Sequence, residues 1–184
     1  LRLWHQALLC HQKALALNPQ LPEVHRNLGI TLQALGRLDD AEGALQKAIT
    51  LQPGYITAYL DLAAILRLQG KLDLAIATLK QTIQLKPDYA KAHNNLGIYL
   101  RERKKMDEAI ASFQQAIAIQ PDFAEALSNL GYLLGELNRP QEALAALDEA
   151  LRQEPSLHQA HSNKLYVLSY LGLLEPAEML AAHQ

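Results

Sequence analysis

The chain has 184 residues, of which 49% are apolar, 20% charged and only 5% aromatic, enough apolar surface to build a sizeable core. Its 17 Lys+Arg against 19 Asp+Glu leave a net charge of -2, which argues against a dominant polyanion-binding role, and a single cysteine, Cys10, excludes an internal disulfide framework and a thiolate zinc cage. With no run near the roughly 20 apolar residues that span a bilayer and no signal-peptide pattern, the Leu- and Ala-rich chain reads as helical, soluble, reduced and cytoplasmic, and its start at Leu1 reads as that of a piece of something longer.

Pro19, Pro53, Pro87, Pro121 and Pro155 recur at one unvarying interval, and a fixed period of this length marks a stacked repeat array. In chain order, residues 1–21 read as the second helix of a preceding repeat. Residues 22–55, 56–89, 90–123 and 124–157 read as four full repeats, and 158–184 as a fifth that stops inside its second helix, all in a single domain. Each repeat begins with a helix of about 14 residues that breaks near repeat position 15, where Gly36, Gly70, Asn138 and Gly172 tolerate the left-handed conformation that ends a helix. In the third repeat the charged run Arg101–Lys105 reads as a solvated turn. A second helix then runs to just before the next proline, which cannot continue it. Its first turn is acidic at Asp39, Asp73, Asp107 and Glu175, matching the positive end of a helix dipole. Alanine at position 20 (Ala41, Ala75, Ala109, Ala143, Ala177) and a small residue at position 8 (Gly29, Ala63, Gly97, Gly131) let the helices approach. Leu45, Leu79, Phe113 and Leu147 at position 24 fill the gap. One helix pair cannot bury its apolar stripes alone, so neighbouring pairs must stack.

This pattern resembles the tetratricopeptide repeat over the whole chain. The resemblance implies an all-α, right-handed superhelical solenoid of helix–turn–helix repeats, with first helices lining a concave face that holds extended polypeptide segments of other proteins. Position 6 on that face reads Asn27, Asp61, Asn95, Asn129 and Asn163, a row of mostly amide side chains able to pair with a peptide backbone without reading its sequence. The competing reading is that these amides satisfy a neighbouring helix or face water. Arg26, Lys91 and Arg101 add positive charge to the groove, and Tyr132 and Tyr166, with Tyr170, add an aromatic patch that serves either inter-repeat packing or an apolar ligand side chain. The pairs Arg26/Ile30, Leu60/Ala64, Asn94/Ile98, Ser128/Tyr132 and Ser162/Tyr166 do not match the two-carboxylate clamp of chaperone-tail-binding repeats.

Catalytic chemistry is not expected of this piece. His158 and His161 share a helix face without an evident third ligand, and Cys10 and His11 are adjacent and cannot face each other. No phosphate loop and no cofactor or metal site is read. The stretch from Ala160 to Tyr170 is similar to the final repeat of bacterial O-GlcNAc transferase/SPINDLY-type glycosyltransferases. That resemblance implies an acceptor-protein-binding region, with Asn27, Asn95, Asn129 and Asn163 gripping substrate; the alternative is a stand-alone, non-catalytic adaptor for complex assembly. Neither nucleic acid nor membrane is an expected partner. End-to-end self-association is expected through Leu1, Leu3 and Leu8 at one end and Leu173, Leu174 and Leu180 at the other.

Overall fold

The computed structural model describes residues 2–171, which contain ten helices and no strand. Leu1, the expected second helix of the fifth repeat and its Leu173, Leu174, Glu175, Ala177 and Leu180 lie outside the described residues. The chain divides into two compact bodies, Leu1–Pro87 and Asp88–Gln184. The first holds α1 (Arg2–Leu17), α2 (Pro22–Ala34), α3 (Leu38–Leu51), α4 (Ile56–Leu68) and α5 (Leu72–Leu85). The second holds α6 (Ala90–Glu102), α7 (Met106–Ile119), α8 (Ala124–Glu136), α9 (Pro140–Gln153) and α10 (His158–Tyr170).

The period appears directly in these bounds. The first helices α2, α4, α6, α8 and α10 start at the same interval as the prolines, and each is 13 residues long. They stop at position 13, slightly before the expected break. A backbone hydrogen bond then closes each full repeat's first helix by reaching five residues back: Arg37 N to Leu32 O, Lys71 N to Leu66 O, Lys105 N to Leu100 O and Arg139 N to Leu134 O, at 2.8–2.9 Å. This closure requires a left-handed residue one place before the donor. Gly36 (φ 75°), Gly70 (φ 76°) and Asn138 (φ 57°) supply it, as their residue types predict. In the third repeat the same geometry is imposed on Lys104, at φ 63°. The expected turn over Arg101–Lys105 is accordingly shorter: α6 continues through Glu102, and Arg101 is helical.

A side chain with a Cβ costs about 1–2 kcal/mol in the left-handed region, whereas glycine enters it freely but loses more entropy on folding. Lys104→Gly is therefore expected to stabilise the protein by about 0.5–1 kcal/mol, read as a melting temperature raised by about 1–4 °C in circular dichroism. Asn138→Gly should gain less, because asparagine already tolerates this conformation.

The second helices end for a different reason. Gln52, Lys86, Gln120 and Glu154 each precede a proline and adopt extended backbone, with φ between -142° and -132°. The proline ring forbids them the helical region. Between helices, Ala41, Ala75, Ala109 and Ala143 are completely buried, as are Leu45, Leu79 and Leu147, with Phe113 nearly so. The small residues at position 8 are required by this packing: a Cβ on Gly97 would stand 2.6 Å from Cε1 of Phe113.

Candidate functional site

The first helices carry the expected groove residues, and each body arranges its own set. In Leu1–Pro87, Arg26 of α2 donates from Nε to Oδ2 of Asp61 on α4 at 2.6 Å, and its guanidinium lies 6.0 Å from the centroid of the Tyr55 ring. The Arg26 and Asp61 side chains are both three-quarters buried. Burial disfavours the charge on Arg26, but the hydrogen bond and charge of Asp61 more than offset this and hold its pKa above the usual value. These two groove residues thus engage each other. Asn27 is exposed, and among the described residues its side chain has no hydrogen-bond partner.

The same register recurs in Asp88–Gln184. Asn129 of α8 donates from Nδ2 to Oδ1 of Asn94 on α6 at 3.0 Å. Asn163 of α10 donates from Nδ2 to Ser128 of α8, at 3.0 Å to Oγ and 3.3 Å to the carbonyl, and accepts from Nε2 of Gln159 at 2.9 Å. Position 6 of one repeat therefore reaches position 5 of the repeat before it, 35 residues back. Arg26–Asp61, Asn94–Asn129 and Ser128–Asn163 are three instances of one stitch. Asn163 is buried and saturated, whereas Asn129 keeps its carbonyl oxygen uncommitted. Asn95 is half-buried and makes no side-chain hydrogen bond to a described residue. Sequence reasoning singled out position 6 and overlooked its partners Asn94, Ser128 and Gln159. The signal was available in position 5, polar in four of five repeats (Arg26, Asn94, Ser128, Ser162).

Two adjoining clefts open on α6, α8 and α10. One, of about 330 Å³, is lined by Asn95, Asn129 and Glu125 together with the apolar Ile98 and Leu157. The other, of about 350 Å³, is lined by Arg101, Asn129, Tyr132, Gln159 and Asn163. Asn129 and Gln159 border both. Arg101 lies over the Tyr132 ring, 4.7 Å from its centroid, and Tyr132 packs against Tyr166 with centroids 5.7 Å apart. Burial first, then the negative charge of Glu136, push the Tyr132 phenol up, so it stays protonated at neutral pH. Lys91 is exposed and borders a separate hollow of about 540 Å³ beside Tyr89 and Phe123. Tyr166 and Tyr170 are both exposed.

The other sequence candidates take ordinary places. The ring Nε2 of His161 hydrogen-bonds the Pro155 carbonyl at 2.9 Å, as His25 does that of Pro19. Cys10 is exposed. Among the described residues no three His, Cys, Asp or Glu side chains come together to hold a metal, and no helix is long and apolar enough to cross a membrane.

The architecture has known counterparts. A family model described as "Tetratricopeptide repeat" matches residues 20–88, 54–122 and 88–154. The chain is similar to the crystal structure of TTC0263, a thermophilic TPR protein of Thermus thermophilus, with 29% identity, a TM-score of 0.74, and coverage of 90% of this chain and 91% of that one. It is similar to MamA at 26% identity and a TM-score of 0.74, over 85% of this chain and 91% of that one. YrrB, described as a TPR protein with an unusual peptide-binding site, shares the fold at 21% identity and a TM-score of 0.68, over 94% of this chain and 89% of that one. No curated protein matches.

Proposed function

This chain belongs to the tetratricopeptide repeat family, and we propose that it is a scaffold whose first helices hold extended polypeptide segments of other proteins. The observation that carries this reading is the cleft between α6, α8 and α10. There Asn95 and the carbonyl oxygen of Asn129 line a recess with hydrogen-bonding capacity that the described residues leave unspent. Amides presented in register can donate to and accept from a peptide backbone, while Ile98 and Leu157 offer apolar contact. The role is shared unequally along the row: Asn27 and Asn95 are open, Asn129 is half committed, and Asp61 and Asn163 bind their neighbours.

Replacing Asn95 and Asn129 together with Ala is expected to weaken binding of peptides selected from a random decapeptide library by about 1–3 kcal/mol, with helicity retained. Titration with labelled peptides checks this, and unchanged affinity would remove the amide row as a binding device.

A finer reading makes this scaffold the acceptor-binding region of a protein glycosyltransferase. It is supported by the Ala160–Tyr170 stretch and the amide row. The alternative, a non-catalytic adaptor in complex assembly, needs only the groove. Peptide mapping of the native polypeptide past Gln184 separates them, since only the first requires a nucleotide-sugar domain. Reducing surroundings suit the exposed Cys10 in either case and support a cytoplasmic placement. Exposed Leu3, Trp4 and Leu9 on α1 support end-to-end self-association.

A further inference from the structure

The polarity of one recess is fixed from behind. The Ser128 carbonyl can only accept, so the Asn163 amide must turn Nδ2 toward it, and does so at 3.3 Å. That leaves Oδ1 of Asn163 as an acceptor, and Nε2 of Gln159 donates to it at 2.9 Å. Asn163 and Ser128 are 4% and 1% exposed, so this relay is anchored away from water. Its consequence lies at the outer end. Gln159 has its amide nitrogen engaged inward, and its Oε1 accepts no hydrogen bond from a described residue. Asn129 stands alike, with Nδ2 donating to Oδ1 of Asn94 and its own carbonyl oxygen uncommitted. Both side chains border the cleft of about 350 Å³.

Two carbonyl oxygens at one cleft call for a ligand that donates, and the charges around them decide its kind. Arg101 borders the same cleft, and its Nη1 stands 3.8 Å from Oε2 of Glu136, an ion pair that leaves no net charge for a ligand to answer. A lysine or arginine side chain would supply donors but would bring a second cation to Arg101 in partly buried surroundings. A carboxylate would set its oxygens against those of Asn129 and Gln159 and donate nothing. A hydroxyl donates only once. The primary carboxamide of an asparagine or glutamine is neutral and carries two N–H donors on one nitrogen, so it can serve both oxygens.

We infer that this cleft selects an asparagine or glutamine side chain on an extended polypeptide, with Oδ1 of Asn129 and Oε1 of Gln159 accepting from its amide nitrogen. The inference rests on the peptide-holding reading above and adds a side-chain preference to the backbone pairing argued there. The buried relay behind Gln159 sets which end of its amide meets the ligand.

The test selects a random decapeptide library, displayed as an internal loop, once on the full wild-type chain and once on its Gln159→Ala variant. Enrichment of Asn or Gln at one fixed peptide position by the wild type, lost with Gln159→Ala, supports the assignment. In a selected peptide, exchanging that residue for its acid isostere (Asn→Asp or Gln→Glu) is expected to weaken binding about tenfold or more by titration, because both donors are lost and an oxygen is set against two others. Against Gln159→Ala the same exchange is expected to cost only about two- to threefold, with the helical circular dichroism of the variant intact. If Gln159→Ala loses helicity, Asn129→Ala serves for the same comparison. Enriched peptides with no carboxamide preference, acid isosteres that bind the wild type equally well or better, or a penalty unchanged in the variants would overturn this inference and leave the peptide-holding reading standing. Failure to enrich any peptide overturns both.

Discussion

Gly97→Ala is expected to destabilise the protein by about 2–3 kcal/mol, measured by urea denaturation. The added methyl would meet three atoms of the Phe113 ring at 2.6–2.9 Å. The ring is 1% exposed, between α6 and α7, and has no open side to retreat into, so the helices must part. The second repeat contains the remedy, since it pairs Ala63 with Leu79 at the same two positions. Phe113→Leu alone should cost about 1 kcal/mol, and the double variant should fall short of the sum by about 1–2 kcal/mol. Additive penalties would show that the strain lies elsewhere.

Asn163→Asp is expected to cost about 2–4 kcal/mol at neutral pH, although the same position in the second repeat is already aspartate. Asp61 is tolerated because Arg26 stands at position 5 before it. Asn163 is preceded in that register by Ser128, whose carbonyl oxygen lies 3.3 Å from Nδ2 and whose Oγ lies 3.0 Å away. A carboxylate there would lose both donated bonds and face that carbonyl; Gln159 and a turned Ser128 hydroxyl could still donate to it, but no cation would neutralise the buried charge. Burial raises the pKa of the introduced group above its unfolded value of about 3.9. The unfolded state then releases its proton more readily than the folded one, so the penalty is full above the folded pKa. It shrinks as pH falls and disappears below about 3.9. Urea midpoints that stay equally depressed at pH 7 and pH 3 would rule out the charge as the cause.

The fold was legible because its determinants are local and repeated. Proline spacing set where second helices stop, and glycine or asparagine set where first helices stop, each by restricting a single residue's backbone. Lys104 escaped this reading because its left-handed turn is imposed by the hydrogen bond from Lys105 to Leu100 and not by its own preference. The site was only half legible. Composition and register placed polar side chains on one face, but whether an amide is available depends on which residue stands at position 5 of the repeat before it. Asn129 and Asn163 look equivalent in sequence, yet one retains an open carbonyl and the other is saturated by Ser128 and Gln159. Arg101 and Tyr132 lie on successive first helices, with the whole of α7 between them in the chain, and only their packing reveals the guanidinium lying over the aromatic ring.

The stitch between repeats gives the array a grammar that acts on its own duplication and loss. The contacts between positions 8, 20 and 24 stay within a repeat, so any excision or insertion of one whole repeat in register carries them along intact. The stitch spans the join, and each such event writes a new pair. Loss of residues 124–157 would set Asn163 behind Asn94, a pairing of types the chain already uses in Asn94–Asn129. Loss of residues 56–89 would set Asn95 behind Arg26, trading a carboxylate partner for an amide and leaving the arginine's charge unanswered. Recombination between repeats is thus filtered at the seams and not inside the modules, and a lineage that reshuffles this array is expected to change positions 5 and 6 together.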